Sequence, residues 1–341
     1  MYTRKLFFLF LLPLMLSKVH SQDVHFSQFY NAPLLLNPAL TGLMKNDLRI
    51  HANYRSQWGS VATPFQTMAL SVDMPILQNQ MRDDVMGVGL MLLNDKAGAV
   101  NLRQTQVQLS YAFHKSLNKS GNHFFGLGAQ LGYVRHRFDP QSLLFDNQFN
   151  GEDLDPSLPN GENRLIAQGT YLDFSAGVQW SYSPDRYTSY YAGFALAHLN
   201  RPTISFFNVR QENMYRKQSV YLGAEFRMNY LMSLLPRAVW LRQGPNQEHS
   251  FGALLRMNMK SGRGNEDPTS IYFGSMHRLG DAQVILLRFD YGPFGFSFSY
   301  DWNISGLNQA SQGRGASEIA LMYRGQFTGS SRPNPVRCPG F

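Results

Sequence analysis

Between Phe294 and Trp302 every second residue is aromatic, and the residues between the rings are small or polar. A repeat of two places the rings on one face of an extended strand and the small residues on the other. Five rings along one face suit a wall that faces lipid better than the interior of a soluble sheet. This pattern predicts a strand of a transmembrane β-barrel in the outer membrane.

The first residues of the chain have the pattern of a cleaved export signal. Arg4 and Lys5 precede an apolar run over 6–16, and small side chains before Gln22 fit a cleavage site. The run is shorter than the about 20 apolar residues that a membrane-spanning helix needs. We predict a signal peptide over 1–21 and a mature chain that starts at Gln22 and has no transmembrane helix.

Alternating segments recur along the chain and predict fourteen antiparallel strands that form a barrel over 48–325. The predicted strands cover 48–56, 65–74, 85–93, 101–113, 123–137, 170–182, 188–199, 218–228, 237–242, 247–259, 270–279, 282–291, 294–303 and 315–324. Most have about the 9 to 11 residues of a tilted membrane strand, whereas 237–242 is short. A soluble two-sheet sandwich is the alternative fold, although sandwiches rarely contain this many strands.

An even number of strands places both ends of the wall in the periplasm. The two longest connections, 138–169 and 200–217, then lie outside the cell, and the short turns at 183–187 and 292–293 lie in the periplasm. Long outer loops and short inner turns are typical of outer-membrane barrels. The residues after the wall, 326–341, are predicted as a periplasmic tail. The rings predicted for a girdle at the inner interface are Trp180, Tyr182, Tyr291 and Phe294.

The residues before the first strand, 22–47, do not alternate. They are rich in Asn and Pro and contain the turn-forming pairs Asn37–Pro38 and Thr41–Gly42. We predict that this irregular segment starts in the periplasm, folds into or under the barrel mouth, plugs the lumen and offers a surface to a partner. If the lumen is wet, an arginine at Ser297 should cost much less than one at Phe298, whereas equal effects would indicate a tightly plugged lumen or a sandwich.

Charge and cysteine usage exclude several kinds of site. The net charge is +8, but Lys and Arg are scattered along the chain, which argues against nucleic-acid binding. The charge fits attraction to anionic lipopolysaccharide or arginines in the lumen and loops. The single cysteine, Cys338, excludes an internal disulfide and a cysteine-rich metal site. We predict no metal and no cofactor.

Several motifs, taken in order, resemble one family. They are Gln22-Asp-Val-His-Phe-Ser-Gln-Phe-Tyr30, Leu35-Leu-Asn-Pro-Ala-Leu-Thr-Gly42, Tyr54-Arg-Ser-Gln-Trp58, the His-x-Asn-x-Pro segment within 193–202, Arg288-Phe-Asp-Tyr-Gly292 and the ending Cys338-Pro-Gly-Phe341. Over almost the whole mature chain this order resembles the PorP/SprF family of type IX secretion system outer-membrane proteins of Bacteroidetes.

The resemblance implies a non-enzymatic barrel of the secretion and gliding motility apparatus, which delivers proteins with C-terminal signals to the cell surface. It also implies association with periplasmic or outer-membrane components of that machine and with one large secreted surface protein. No catalytic residue and no cofactor carries over from the family. Within the quoted motifs, the candidate partner-binding residues are Asn37, Pro38, Arg55, Gln57 and Trp58.

Other candidate sites have simpler explanations. His198 follows a strand and is predicted to cap backbone groups, since no second metal ligand lies at a suitable spacing. The acidic loop at 138–169 lacks the EF-hand spacing and is predicted to be a solvated loop. Arg288 and Asp290 share a strand face and are predicted to pair in the lumen. The basic residues at 135–137 are predicted to anchor the fifth strand at the outer interface or to meet lipopolysaccharide phosphates.

Two other classes of function remain open. The first is a passive porin-like channel, which bulk solute conductance after reconstitution would favour. The second is an outer-membrane lipid hydrolase, which needs a serine and a histidine on neighbouring strands. No serine–histidine spacing in the sequence singles out such a pair.

Overall fold

The computed structural model of the protein describes residues 23–59, 63–77, 80–81, 83–98, 101–139, 143, 145–155, 157–159, 161, 167–204, 212–259, 269–306 and 308–327. Fourteen strands form one closed antiparallel barrel in which the first strand pairs with the last. This closed order excludes the two-sheet sandwich and confirms the predicted barrel. The predicted signal peptide and most of the predicted C-terminal tail lie outside the described residues.

The wall is built from long strands joined in chain order. Its members are β1 (Leu48–Gln57), β2 (Phe65–Ile76), β3 (Val85–Ala97), β4 (Leu102–Ser116), β5 (His123–Arg137), β6 (Gln168–Tyr182), β7 (Thr188–Ala197), β10 (Lys217–Arg227), β11 (Met232–Gln243), β12 (Asn246–Asn258), β13 (Ser270–Arg278), β14 (Ala282–Tyr291), β15 (Phe294–Asn303) and β16 (Arg314–Gly325). A separate small hairpin of β8 (Thr203–Ile204) and β9 (Glu212–Asn213) lies between β7 and β10.

The helices are single turns. They are the 3₁₀ turns Phe29–Asn31, Pro38–Leu40 and Asp146–Gln148, and the α-helices α1 (Pro33–Leu36) and α2 (Asn308–Ser311). Within the described ranges no helix has the length and apolar character needed to cross a membrane.

Side chains alternate between the two faces of the wall, as the period of two predicts. In β15 the rings of Phe296 and Phe298 are 47% and 38% exposed on the outside, whereas Ser297 and Ser299 are 2% and 0% exposed on the inside. The outer face is therefore apolar where lipid would contact it, and the inner face at this strand is small and polar.

The strand predicted at 237–242 is longer in the structure, where β11 already begins at Met232. Its alternation is weak in the sequence because part of the lumen beside this strand is apolar. Leu235 and Val239 point inward and pack in one cluster with Tyr30, while neighbouring residues face outward and are apolar as well. An apolar residue on each face removes the contrast on which the prediction depends.

Connection lengths assign the two ends of the barrel. Both ends of the wall, at Leu48 and Gly325, lie at the same end as the short turn at 292–293. The connections of β5 to β6 and of β7 to β10 lie at the opposite end, which we assign to the cell exterior because outer-membrane barrels carry their longer loops there. At the periplasmic end Tyr291 and Phe294 are 65% and 59% exposed, as expected for an interfacial girdle.

This orientation predicts which loops are accessible on intact cells. In a Cys338→Ser background, Glu152→Cys in the connection after β5 should react with a membrane-impermeant maleimide, because this loop is outside. Asp185→Cys in the turn between β6 and β7 should react only after the outer membrane is opened. Both positions are exposed in the structure. The reverse labelling pattern would contradict the assigned ends.

Candidate functional site inside the barrel

Residues 23–47, here called the N-terminal segment, lie inside the barrel and run from one end of the lumen to the other. At the outer end the N–H of Asp23 donates to Gln243 Oε1 at 2.8 Å, and the Asp23 carboxylate contacts His198 Nε2 at 2.6 Å. At the periplasmic end the N–H of Asp47 donates to Gly325 O at 2.9 Å. The described part of the segment therefore starts at the outer end, and the prediction that it starts in the periplasm is wrong.

A buried cluster of charges fastens the N-terminal segment beside the seam where β1 meets β16. The N–H groups of Ser27 and Gln28 donate to the Glu318 carboxylate at 2.8 and 3.0 Å. Arg55 pairs with the same carboxylate at 3.2 Å and with Asp301 at 2.8 Å. The segment, β1, β15 and β16 thus meet at one group of ionic hydrogen bonds.

The charges of this cluster are shielded from water and compensated by one another. Arg55, Asp301 and Glu318 are 3%, 2% and 0% exposed. Arg278, from β13, adds a second cation 3.4 Å from Asp301. The Ser27 hydroxyl accepts from both arginines at 2.6 Å and donates to Asp301 at 2.7 Å. Burial of such charges is tolerated only when partners and hydrogen bonds are this complete.

The inner face of β15 also holds the segment through amide side chains. Gln28 Nε2 donates to Ser299 Oγ at 3.0 Å, and Asn31 Nδ2 donates to Ser297 Oγ at 3.0 Å. These serines stand between the rings that face outward. The small residues of the alternating motif therefore contact the segment, and Ser297 does not face a wet lumen.

Inward-facing glycines leave a slot for the middle of the segment. A side chain at any of three wall positions would collide with the segment's backbone or with the Asn37 amide, because its Cβ would lie closer than real Cβ contacts allow. The distances from the added Cβ are 2.0 Å at Gly177 to Asn37 Oδ1, 2.2 Å at Gly128 to Ala39 N and 2.3 Å at Gly87 to Thr41 O. The wall and the segment thus fit each other closely here.

Asn37 joins the turn of the segment to the wall. Its Oδ1 accepts from the N–H of Ala39 at 2.8 Å, which caps the 3₁₀ turn that starts at Pro38. Its Nδ2 donates to Val178 O at 2.9 Å and to the Tyr221 hydroxyl at 3.0 Å. One side chain therefore shapes the turn and positions it against β6 and β10.

A second ion pair holds the segment near the periplasmic end. Arg49 of β1 makes two hydrogen bonds to Asp73 of β2, at 3.0 and 2.8 Å, and a third to Leu40 O at 3.0 Å. Asp73 also accepts from the N–H of Gly42 at 2.8 Å. The bidentate pair is thus completed by the backbone of the segment.

His198 holds the outer end of the segment between two carboxylates. Its Nδ1 lies 2.9 Å from Asp173 and its Nε2 lies 2.6 Å from Asp23. Burial alone would lower the pKa of this imidazole, but the charge of Asp23 and the hydrogen bond to Asp173 raise the pKa to about 10. His198 therefore bridges two acidic side chains in the structure, whereas the sequence predicted that it would cap backbone groups.

The pairing of His198 with Asp173 and Asp23, here called the His198 clasp, should make the stability of the protein depend on pH. Because the folded pKa of about 10 lies above the ordinary 6.5, the ionic stabilisation is complete below about pH 6.5 and is lost as the pH rises toward 10. We expect His198→Asn to lower the thermal midpoint most near pH 6 and progressively less toward pH 10. His277→Asn, whose ring contacts Gln283 rather than a carboxylate, is the control. A pH-independent effect of His198→Asn would contradict the ionic clasp.

The five candidate partner-binding residues do not form one surface. Asn37, Pro38 and Arg55 are buried within the lumen contacts described above. Gln57 accepts from Arg55 at 3.3 Å. Trp58 begins the outer turn after β1 and packs edge-on against Phe65, 4.9 Å between ring centroids. The assignment of these residues to partner binding stays a prediction.

The structure also shows the contacts of other residues that the sequence analysis singled out. Arg288 and Asp290 pair at 2.8 and 3.0 Å inside the lumen, as predicted. Arg135 is exposed at the outer end of β5 and donates to Gln168. Among the described residues no three His, Cys, Asp or Glu side chains are grouped to hold a metal ion. The sequence analysis missed the roles of Ser27 and Glu318. A signal for Glu318 was available, because alternation alone places this residue on the inner face of β16 among small residues.

Comparisons with known proteins agree with a membrane protein of a secretion system. The sequence model of PorP_SprF, described as "Type IX secretion system membrane protein PorP/SprF", matches residues 18–323. No curated protein matches the chain.

Similar solved structures include a transporter, a channel and a FadL homologue. The toluene transporter TodX of P. putida is 12% identical, with 87% of this chain and 94% of that chain covered and a TM-score of 0.47. The CymD monoaromatic hydrocarbon channel is 11% identical, with 87% and 93% covered and a TM-score of 0.46. A Pseudomonas aeruginosa FadL homologue is 12% identical, with 84% and 92% covered and a TM-score of 0.45.

Proposed function

Because the chain belongs to the PorP/SprF family of type IX secretion system membrane proteins, we propose that it assists the export or the surface anchoring of a secreted protein without being an enzyme. It is an outer-membrane β-barrel. The single observation that carries the proposal is the course of the N-terminal segment, which contacts the wall from Asp23 at the outer end to Asp47 at the periplasmic end. A barrel occupied in this way serves as a closed membrane support for other proteins.

The contacts of the segment favour permanent occupation over a removable plug. Taking the segment out of the lumen would expose the buried charges of Arg55, Asp301 and Glu318 and break the capped turn at Asn37. Truncating one member of a buried ion pair costs about 3–5 kcal/mol. Removal of the whole segment therefore needs a large free energy, which a passive porin-like channel has no means to supply.

The arrangement around His198 also supports a non-enzymatic role. A histidine that activates a serine needs one ring nitrogen directed at the hydroxyl and the other held by an orienting group. Both nitrogens of His198 instead contact carboxylates, those of Asp173 and Asp23. This histidine is therefore arranged as a clasp for the segment and not as the base of a hydrolase.

The proposed partners are proteins of the secretion machinery, a secreted surface protein and the surrounding lipopolysaccharide. The connections at the outer end would meet the secreted protein, and the turns at the periplasmic end would meet the machinery. Arg135 and Arg137 are exposed at the outer end of β5, where guanidinium groups would contact lipopolysaccharide phosphates. Phosphate contacts of this kind would fix the height of the barrel in the membrane.

Affinity purification and conductance together test the proposed function. The intact protein should co-purify with components of the secretion machinery and with a secreted protein, and should show no porin-like conductance in planar bilayers. A variant that lacks residues 24–45 should conduct and should lose these partners, because the lumen opens and the segment's contacts are gone. Porin-like conductance of the intact protein, without any co-purifying secretion component, would instead favour the passive channel.

A further inference from the structure

The strand β6 is paired along its whole length on one side only. It pairs with β5 from Gln168 to Tyr182, but with β7 only from Ala176 to Tyr182. Because β7 ends at Ala197, the outer part of β6 has no neighbouring strand on that side among the described residues. The wall therefore has a step at its outer end, and β6 has a free edge there.

The turn after β7 closes only the part of this edge that lies nearest to β7. The Asn200 side chain accepts from the N–H of Phe174 at 3.3 Å and donates to Leu172 O at 2.7 Å. The chain then turns, with the N–H of Arg201 donating to His198 O at 3.0 Å. The His-x-Asn-x-Pro segment thus ends the pairing on β6, because its asparagine side chain takes the place of a further strand residue.

Backbone groups beyond this asparagine have no partner on the free side of β6. Alternate residues of a strand direct their N–H and C=O groups to the same side, so Gln168 and Thr170 share the side of Leu172, away from β5. Within the described part of the chain, no hydrogen bond pairs the N–H of Leu172 or either backbone group of Thr170 and Gln168 on this side. Residues 168–172, here called the β6 edge, thus present donors and acceptors at the spacing of a strand.

The β6 edge lies above the hydrocarbon region and lacks the usual protection of a free edge. Thr170 is opposite Arg135 and Gln168 is opposite Arg137 in the pairing with β5, and both arginines are exposed. Unpaired backbone groups are excluded from lipid, but at this level water and other proteins reach them. Natural proteins protect free edges with lysine, proline or bulges. The stretch 168–173, Gln-Gly-Thr-Tyr-Leu-Asp, contains no proline, lysine or arginine.

An extended polypeptide is the ligand that matches the β6 edge. Its backbone carries donors and acceptors at the spacing of the edge, and it binds by adding a strand to the sheet. On the outward face of the edge Thr170 and Leu172 are exposed, the leucine to 53%. Side chains beside these two residues on an added strand would be β-branched or apolar. The matching segment therefore alternates such residues with polar ones.

We propose that the β6 edge binds an extended segment of another protein at the cell surface, which adds one strand to the outer end of the wall. The segment pairs with the backbone groups of Gln168, Thr170 and Leu172 that the protein itself leaves unpaired. Asn200 sets the limit of the added strand, since it already pairs the backbone at Phe174. The inference is independent of the secretion role, because the purified protein alone contains the edge.

Fluorescence polarisation on the purified full-length protein in detergent tests the β6 edge. The probe is a fluorescein-labelled hexapeptide of alternating threonine and valine. The matched control peptide has the same side chains and a methyl group on every backbone nitrogen. The first peptide should bind and the second should not, because N-methylation removes every backbone donor that an added strand needs.

Thr170→Pro is the variant that blocks the edge. Proline removes the N–H that points to the free side, while the pairing with β5 is kept because this N–H does not face β5. The substitution should weaken peptide binding about tenfold or more. Thr170→Lys, which places a protective charge on the edge without changing the backbone, should also weaken binding.

Thr170→Val is the matched control variant, since it keeps the N–H and should bind the peptide as the unaltered protein does. Folding of each variant is checked by the heat-dependent migration of the barrel on gels. Absence of peptide binding, equal binding of the N-methylated peptide, or full binding by a folded Thr170→Pro variant would each overturn the proposal. Binding that appears only after residues 205–211 are replaced by a glycine–serine linker would also overturn it, because this chain would then occupy its own edge.

Discussion

Arg55→Met is expected to lower the free energy of unfolding by about 3–5 kcal/mol, the usual effect of breaking a buried ion pair by removing one partner. Among the described residues, the cation that pairs with Glu318 is the Arg55 guanidinium. Arg55 is also one of the two arginines that pair with Asp301. Methionine fills a similar volume but leaves the Glu318 carboxylate buried without a counter-charge. Urea titration of the protein in lipid vesicles measures the change.

Two further variants separate the buried charge from a general effect of losing a cation. Lys115→Met removes the exposed partner of Asp84, 2.8 Å away with a lysine side chain that is 60% exposed, and should cost less than about 1 kcal/mol. Adding Glu318→Gln to Arg55→Met should restore part of the stability, because a neutral amide needs no counter-charge. Similar small effects of Arg55→Met and Lys115→Met would show that the cluster is solvated and would contradict its role in holding the segment.

An arginine at either of two adjacent positions of β15 should also be strongly destabilising. Phe298 lies on the lipid-facing side in the middle of the strand, where an arginine costs about 2–4 kcal/mol. Ser297→Arg should cost at least as much, because the residue is 2% exposed and its hydroxyl accepts from Asn31. A guanidinium there would displace the segment and add an unpaired charge to a buried site.

Ser297→Ala provides the matched control, since it removes one hydrogen bond without adding volume or charge. It should cost about 1 kcal/mol. Folding yield in vesicles, followed by gel mobility, compares the three variants. If Ser297→Arg were tolerated as well as Ser297→Ala, the inner face of β15 would have to be wet, and the segment could not lie where the structure places it.

The wall of the barrel was predictable because its signal is local. Alternation with a period of two depends only on neighbouring residues, so β15 and the pair Arg288 and Asp290 on one face of β14 follow directly from the sequence. The predicted strand was too short at β11, because Leu235 and Val239 face an apolar part of the lumen. Where both faces of a strand are apolar, period alone cannot define its ends.

The site inside the barrel was not predictable in the same way. Arg55 lies 246 residues from Asp301 and 263 from Glu318 in the chain, and no local pattern brings such residues together. The direction of the N-terminal segment was missed for a related reason. Its turns at Asn37–Pro38 are readable, but a segment without regular secondary structure takes its course from the slot that the wall provides, here at Gly128 and Gly177.

A reversible covalent lock tests most directly whether the N-terminal segment stays in the lumen during function. A Cβ at Gly177 would lie 2.9 Å from Asn37 Cγ, so cysteines at both positions are within reach of a disulfide. In a Cys338→Ser background, cells with Asn37→Cys and Gly177→Cys are assayed for surface protein that bears the C-terminal secretion signal, with and without dithiothreitol. Asn37→Cys alone controls for the lost hydrogen bonds. The oxidised lock should support the same amount of surface protein as the reduced form. Loss of surface protein on oxidation, with recovery on reduction, would contradict the permanently occupied barrel.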